Sequence, residues 1–322
     1  MIKVIKPGLA TTVQDLGRPG YYQLGIPYGG AMDRYALRAA NLLVGNDEGA
    51  ACLETPYMGP ELEFTETTCV AVTGADVPVL LDGEEQPAWT SIAVRAGQVL
   101  SFGFLKTGAR IYIAVSGGID VPVVLGSRST YVIGQIGGVD GRALIAGDDI
   151  PIGGGADAGG REVPDALRRM PGNPAELRVL PGLYWHRITE AAGERFFADE
   201  WQVGTEADRM GYRFKGGTPL DFVPREPPFG AGSDPSNITD SAYPYGSVQV
   251  PAGQEPIVLH RDAVSAGGYF QIGAVISADM DLIGQMQPNL PTRFARVTMD
   301  EALAARTDER QRLNRLRAAL SG

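Results

Sequence analysis

The sequence predicts a mainly β protein of two domains, with few short helices and a helix at the C-terminus. Short apolar runs alternate with glycine-centred turns at close spacing, which is the pattern of barrels or sandwiches rather than of alternating β-α units. Helical periodicity is confined to two places. A Gly-, Ala- and Pro-rich stretch, Gly153 to Glu176, carries no long apolar run and separates halves of similar size. A chain of 322 residues accommodates two domains at roughly 100–200 residues each.

Taken in order, the strand-like runs of the first half are Cys69–Thr73, Pro78–Leu81, Ser91–Val94, Val99–Phe102 and Arg110–Val115. Between them lie Gly74-Ala75-Asp76, Asp82-Gly83 and Ala96-Gly97, where the chain can turn. The first helix is expected from Asp33 to Val44, with Asp33 as N-cap and Gly45 as the stop. The second begins at Thr298, where Thr298 and Glu301 have capping-box spacing, and Leu313, Leu316 and Leu320 fall on one face. The expected domains are 1–155 and 177–322, the latter including the C-terminal helix, with 156–176 as a linker or exposed loop. The halves also read as distant repeats: Met32-Asp33-Arg34 against Asp208-Arg209-Met210, and Gly126 to Tyr131 against Val264 to Tyr269.

The net charge is −10 and the pI about 4.8, which disfavours nucleic acid and a polybasic membrane contact as partners. Lysine occurs only at Lys3, Lys6, Lys106 and Lys215, while arginine, the better bidentate binder of carboxylate and phosphate, is abundant. Cys52 and Cys69 sit in apolar surroundings without metal-like spacing and are expected as buried free thiols. The start, MIKVIKPG, has no apolar signal core, and no 18-residue apolar run exists, so a soluble cytoplasmic chain is expected.

Several chemistries lack their motif. There is no P-loop and no dinucleotide-binding glycine fingerprint. The two histidines, His186 and His260, exclude a histidine-rich metal centre, and neither has a nucleophile-elbow context. No metal site is expected. No lysine has the context of a biotinylated one, so biotin enters only on a partner.

Glycine-punctuated polar clusters remain. Thr11 to Tyr21 places Gln14, Asp15 and Arg18 on one loop, where they either contact a ligand or tie down turns. Gly29 to Asp33 runs into the first helix, as an anion-binding N-terminus or as a capped one; capping by Asp33 occupies the same donors. Gly126 to Tyr131 joins Ser127, Arg128, Ser129, Thr130 and Tyr131, groups suited to a carboxylate or phosphate. In the second half the counterparts are Asn237 to Asp240 with Tyr243, and Asp262 with Ser265 to Tyr269; Asp240 and Asp262 are candidates for proton transfer or metal–phosphate contact.

The run Thr12 to Tyr21, the run Gly25 to Asn46, Leu53-Glu54 with Gly59-Pro60, Gly126 to Tyr131, and Gly137 to Asp148 together resemble the allophanate hydrolase subunit 2 family. That family includes the C subunit of bacterial ATP-dependent 5-oxoprolinase, an antagonist of a sporulation-kinase inhibitor, and part of the carboxyltransferase region of urea carboxylase. The resemblance extends from about Pro7 to Val297. It implies two cyclophilin-like β-barrels and a partner from the subunit 1 family. In the 5-oxoprolinase branch it also implies ATP, with magnesium, in the complex and a third subunit that opens the lactam. One segment departs from that branch: Asp262 is followed by Ala263-Val264-Ser265-Ala266 rather than by the branch's Arg-Gln-Thr-Thr, and Ser236 to Tyr243 is closer to the urea-carboxylase side.

The expected function is a subunit of a 5-oxoprolinase-like amide hydrolase, inactive without its partners and acting on a small amide or lactam. The alternatives are a carboxyltransferase subunit of a biotin-dependent urea or amide carboxylase, and a regulatory partner of a subunit 1 protein. The candidate catalytic residues are Asp240, Asp262 and Arg128. The candidate substrate- or nucleotide-binding residues are Gln14, Asp15, Arg18, Asp33, Asn41, Ser129, Tyr131, Asn237, Gly267, Gly268 and Tyr269, with Asp33 and Asn41 the most structural in character.

Overall fold

A computed structural model describes residues 1–155, 159–226, 229–230 and 232–321. The chain divides into two units. The first comprises Met1–Arg18, Gly29–Met170 and the end of the chain from Arg310; the second comprises Pro19–Tyr28 and Pro171–Glu309.

The first unit holds β1 (Ile2–Lys6), β2 (Thr12–Gln14), β3 (Cys52–Pro56), β4 (Glu61–Phe64), β5 (Thr68–Asp76), β6 (Val79–Leu81), β7 (Glu84–Gln86), β8 (Ser91–Val94), β9 (Val99–Phe102), β10 (Thr107–Val115) and β11 (Asp149–Ile150), with helix α1 (Arg34–Leu43). One sheet runs β11-β1-β4-β9-β6-β7 and the other β2-β3-β10-β5-β8. Successive side chains on a strand point to opposite faces. On β10, Ile111, Ile113 and Val115 therefore face the core between the sheets, together with Val70 and Val72 of β5. The alternate residues Tyr112, Ala114, Cys69 and Ala71 face a second core beneath α1. This explains why both strands read as continuous apolar runs: each is dry on both faces. Both cysteines are free and buried.

Helix α1 starts and stops for the expected reasons. Asp33 caps it, its Oδ1 accepting from Ala36 N–H at 2.9 Å, and Gly45 follows at φ 75°. The stretch expected as a linker is packed over much of its length. Ala156, Asp157 and Ala158 lie outside the described residues, but Ser91 N–H donates to Arg161 O, Val163 N–H to Trp89 O, and Val163 is fully buried under α1. The unit boundary falls after Met170.

In the second unit β12 (Ala175–Pro181), β13 (Trp201–Ala207), β14 (Gly211–Lys215), β16 (Ser247–Gln249), β17 (Ile257–Leu259), β19 (Gln271–Val275) and β20 (Pro291–Arg296) close into a barrel in the order β12-β19-β16-β17-β14-β13-β20. Closure comes from the parallel pairing of β12 with β20, which leaves no exposed barrel edge. β15 (Asn237–Ala242) and β18 (Ala266–Tyr269) form a separate two-stranded sheet. Helix α2 (Glu190–Ala198) puts Phe196 against Phe294 with ring centroids 4.9 Å apart, and α3 (Met280–Ile283) is a single turn.

Helix α4 (Met299–Leu320) opens with the capping box: Thr298 N–H donates to Glu301 Oε2 at 2.7 Å, and Glu301 N–H donates back to Thr298 Oγ1 at 3.3 Å. Ala305 packs on Ile276 and Ala278 of the second unit. Leu313, Leu316 and Leu320 join the core beneath α1 in the first, where Arg317 grips Glu48 through Nε and Nη2, both at 2.8 Å. Among the described residues no helix is long and apolar enough to cross a membrane.

Leu316 is fully buried, so Leu316→Ala should cost about 2–4 kcal/mol in denaturant unfolding, whereas Leu303→Ala, on an exposed position of the same helix, should cost under about 0.5. The hydrogen bond from Arg317 holds the Glu48 carboxyl below its ordinary pKa, against the opposing effect of burial. A lowered folded pKa stabilises the fold above the unfolded value, and that contribution disappears as pH falls through the folded one. The stability difference between wild type and Glu48→Gln should therefore be full at neutral pH and shrink below about pH 4; a difference unchanged by acid would refute the assignment.

Candidate functional site

In the first unit the loops around Asp15 and Arg128 come together as one clamp. Asp15 Oδ1 accepts from Gly17 N–H at 2.8 Å, Ser127 Oγ at 2.6 Å and Ser129 Oγ; Oδ2 accepts from Arg128 N–H at 2.6 Å. Asp15 N–H donates back to Ser129 Oγ at 2.9 Å. The carboxylate thus uses its acceptor sites on the loops themselves, as in an Asx turn extended across the fold. Arg18 is fully buried and donates to Ser129 O. Glycine is needed around it: a Cβ on Gly29 would come within 2.8 Å, and one on Gly137 within 3.0 Å, of the guanidinium, and both positions have positive φ.

The other first-unit candidates are also held inside the fold. Gln14 is buried, its Nε2 donating to Thr12 Oγ1 and Thr130 O. Asn41 is buried, donating to Ala50 O at 2.8 Å and accepting from Asn46. Tyr131 pairs with Ile136 across a tight turn. Arg128 is half-exposed, with Nε on Val121 O at 2.8 Å and Nη2 on Asp120 at 2.9 Å. A buried chain beneath α1 escaped sequence reading: Asp33 N–H donates to Tyr112 Oη, which donates to Glu54 Oε2 at 2.7 Å, and Met32 N–H donates to the same oxygen. Burial, with Glu54 beside it, pushes the Tyr112 phenol well up. Glu54 stands in the Leu53-Glu54 motif, which was the available signal.

In the second unit Asn237, Asp240, Gly267, Gly268 and Tyr269 gather on the β15–β18 sheet, with Asn237 opposite Tyr269. Tyr243 holds the sheet: its Oη donates to Tyr269 O at 2.9 Å and accepts from Tyr269 N–H at 2.7 Å. A Cβ on Gly267 would meet the Tyr243 ring at 2.9 Å, so glycine is required there. Burial raises the Tyr243 phenol, and the Asp240 charge adds to this. Asp240 is exposed and makes no ion pair among the described residues, and Tyr269 is 51% exposed. Asp262, by contrast, is buried and gripped by Arg209, Nε to Oδ2 at 2.8 Å and Nη2 to Oδ1 at 3.1 Å. The pairing occupies both Asp262 oxygens and leaves Asp240 as the accessible carboxylate of the two.

Further residues line this region without a motif to announce them. Tyr22 donates to Tyr243 O at 2.7 Å and stacks on Tyr28 at 4.6 Å; burial, with Tyr28 adding, pushes its phenol up to about 12. Arg187 and Arg225 both donate to Asn237 O. Among the described residues no three His, Cys, Asp or Glu side chains gather as a metal site.

These two units, a two-sheet core followed by a closed barrel with an appended β15–β18 sheet, define a class. The chain belongs to the carboxyltransferase domain family, subdomains A and B, whose model matches residues 24–296. It is 39% identical to the C subunit of 5-oxoprolinase from Escherichia coli over 98% of this chain and 97% of that protein. It is 35% identical to the corresponding 5-oxoprolinase component of Haemophilus influenzae, over 98% of each. Against the urea amidolyase of Saccharomyces cerevisiae it is 32% identical over 94% of this chain, but spans only 17% of that protein. The crystal structure of the K. lactis urea amidolyase matches 98% of this chain with a TM-score of 0.92 at 32% identity, using 20% of its own chain.

Asp15→Ala removes the acceptor for both serines and the Arg128 N–H, and should destabilise the first unit by about 3 kcal/mol, with faster amide exchange at Ser127–Ser129. Unchanged exchange there would contradict the clamp.

Proposed function

We propose that the chain is the C-type component of a 5-oxoprolinase-like, ATP-dependent hydrolase of a lactam or related amide. It works with a subunit 1 family partner and a third, ring-opening subunit, in the cytoplasm. The supporting observation is the 39% identity spread over 98% of this chain and 97% of the E. coli protein, so the two match end to end. The urea amidolyase, of which this chain spans 17%, is matched only as a part.

An amide carbonyl is a poor electrophile because nitrogen donates into it, so its opening needs the oxygen or nitrogen charge stabilised as it develops. In this chain Asp240 is the group for proton transfer: it is an exposed carboxylate on β15, whose charge acts on Tyr243. Asn237 and Tyr269, paired across the same sheet, orient the amide. Arg128 serves the Asp15 clamp through its backbone N–H, while its guanidinium is held to Asp120 and Val121 O rather than turned to substrate. The Asp15 loops do not fit a nucleotide phosphate, since their N–H and hydroxyl donors already serve Asp15 or other acceptors of the fold. ATP with magnesium is therefore assigned to the assembled complex.

A second reading has its own support. The 0.92 TM-score to a urea amidolyase favours a carboxyltransferase that moves a carboxyl group from a biotin carrier on a partner to a urea or amide nitrogen.

The complex of this chain with a subunit 1 partner and the third subunit should hydrolyse ATP faster when 5-oxoproline is added, and Asp240→Asn should lower that stimulated rate about 100-fold without lowering the melting temperature. An intact complex that ignores 5-oxoproline but turns over with urea and an avidin-retained carrier would establish the second reading instead.

A further inference from the structure

We propose that Arg187 and Arg225 form a carboxylate-binding subsite in the second unit, selecting amides that carry a carboxylate. The proposal rests on the amide-hydrolase reading for the identity of the substrate, and on the following geometry for the subsite. Arg187 Nη2 donates to Pro235 O at 2.9 Å and to Asn237 O at 3.1 Å, and Arg225 Nη2 donates to the same Asn237 O. Two guanidinium groups thus converge on the residue that opens β15, the strand that carries Asp240.

Two like charges side by side are unfavourable without an anion. Four arginines elsewhere in this acidic chain have one: Arg178 holds Asp279, Arg209 holds Asp262, Arg142 holds Asp148 and Arg317 holds Glu48. Among the described residues neither Arg187 nor Arg225 pairs with a carboxylate. Arg225 Nε is buried and has no hydrogen-bond partner among them. Burial and the neighbouring Arg225 both depress the Arg187 pKa, the reverse of what Asp279 does to Arg178 and Asp148 to Arg142. A bound carboxylate would supply the missing countercharge and accept from the remaining fork donors of both groups.

The backbone bonds to Pro235 and Asn237 orient the two forks without using all of their N–H groups, since a guanidinium has five. Asn237 stands opposite Tyr269, which Tyr243 holds, so the bonds to Asn237 O link the pair to the Tyr243–Asp240 region. Urea and simple amides have no carboxylate for such a pair to hold; 5-oxoproline has one attached to its lactam ring. The subsite therefore acts on substrate choice: it anchors the charged end and leaves the amide to the β15–β18 sheet.

The test is equilibrium binding to the full chain of 5-oxoproline, of 2-pyrrolidinone (the same lactam without the carboxylate), of succinate and of inorganic phosphate. 5-Oxoproline should bind at least about tenfold more tightly than 2-pyrrolidinone, and Arg187→Gln or Arg225→Gln should each erase that preference. Arg187→Lys and Arg225→Lys keep the charge and should retain part of it, and thermal melts of all four variants separate lost binding from lost folding. Equal affinity for the two lactams, unaffected by the variants, overturns the subsite and leaves the amide-hydrolase reading standing. Arginine-dependent binding of succinate equal to that of 5-oxoproline upholds the subsite and removes the lactam from it. Phosphate binding more tightly than either carboxylate, or no saturable binding of any probe, overturns the proposal.

Discussion

The first unit depends on strands that are dry on both faces. β5 and β10 lie at the centre of their sheet, and their alternate residues feed two different cores, one between the sheets and one beneath α1. Everything that packs on the second face must therefore be apolar and close. The small residues Ala71 and Ala114 let α1 approach, and the leucines at the end of α4 complete the cover. The polar groups caught in this layer are satisfied internally: Glu54 takes its bonds from Tyr112 and Met32, because a buried carboxylate without donors would cost several kcal/mol.

The same constraint governs the Asp15 clamp. Two loops far apart in sequence are brought together by one carboxylate, and Arg18 is sealed behind glycines that leave room for its guanidinium. Groups that look like ligand donors in a linear motif become, in three dimensions, donors to each other. The motif Gly126-Ser127-Arg128-Ser129 therefore forms a joint here, its polar groups saturating one partly buried carboxylate.

The second unit distributes its charges differently. Its barrel closes through β12 and β20, while the candidate residues sit outside it on the small β15–β18 sheet held by Tyr243. A short sheet beyond the barrel is free to carry exposed groups such as Asp240 and Tyr269, since its stability comes from the Tyr243 bonds rather than from burying both faces. Arg209 pairs with Asp262 within the fold, whereas among the described residues Arg187 and Arg225 have no carboxylate partner beside the strand that carries Asp240. Where a charge is paired it builds structure; where it is left over it is available to a ligand.

Elements with a local cause were legible along the chain. The strands between Cys69 and Val115, the Asp33-capped helix and the Thr298–Glu301 capping box appear where periodicity and capping chemistry put them, because neighbouring residues dictate these; the exception is Gly74-Ala75-Asp76, expected as a turn, which continues β5 to Asp76 because pairing with β10 extends the strand. The mainly β class and the family followed from the same runs and motifs. The partners of the polar groups were not legible in this way. Folding brings Asp15 to Ser127 and Ser129, more than a hundred positions away, and gives Asp262 to Arg209. It also buries Val163 in the expected linker and shares α4 between the two units. The reason is physical: a hydrogen bond or ion pair is made between groups that folding brings within about 3 Å, and their separation along the chain carries no record of that distance.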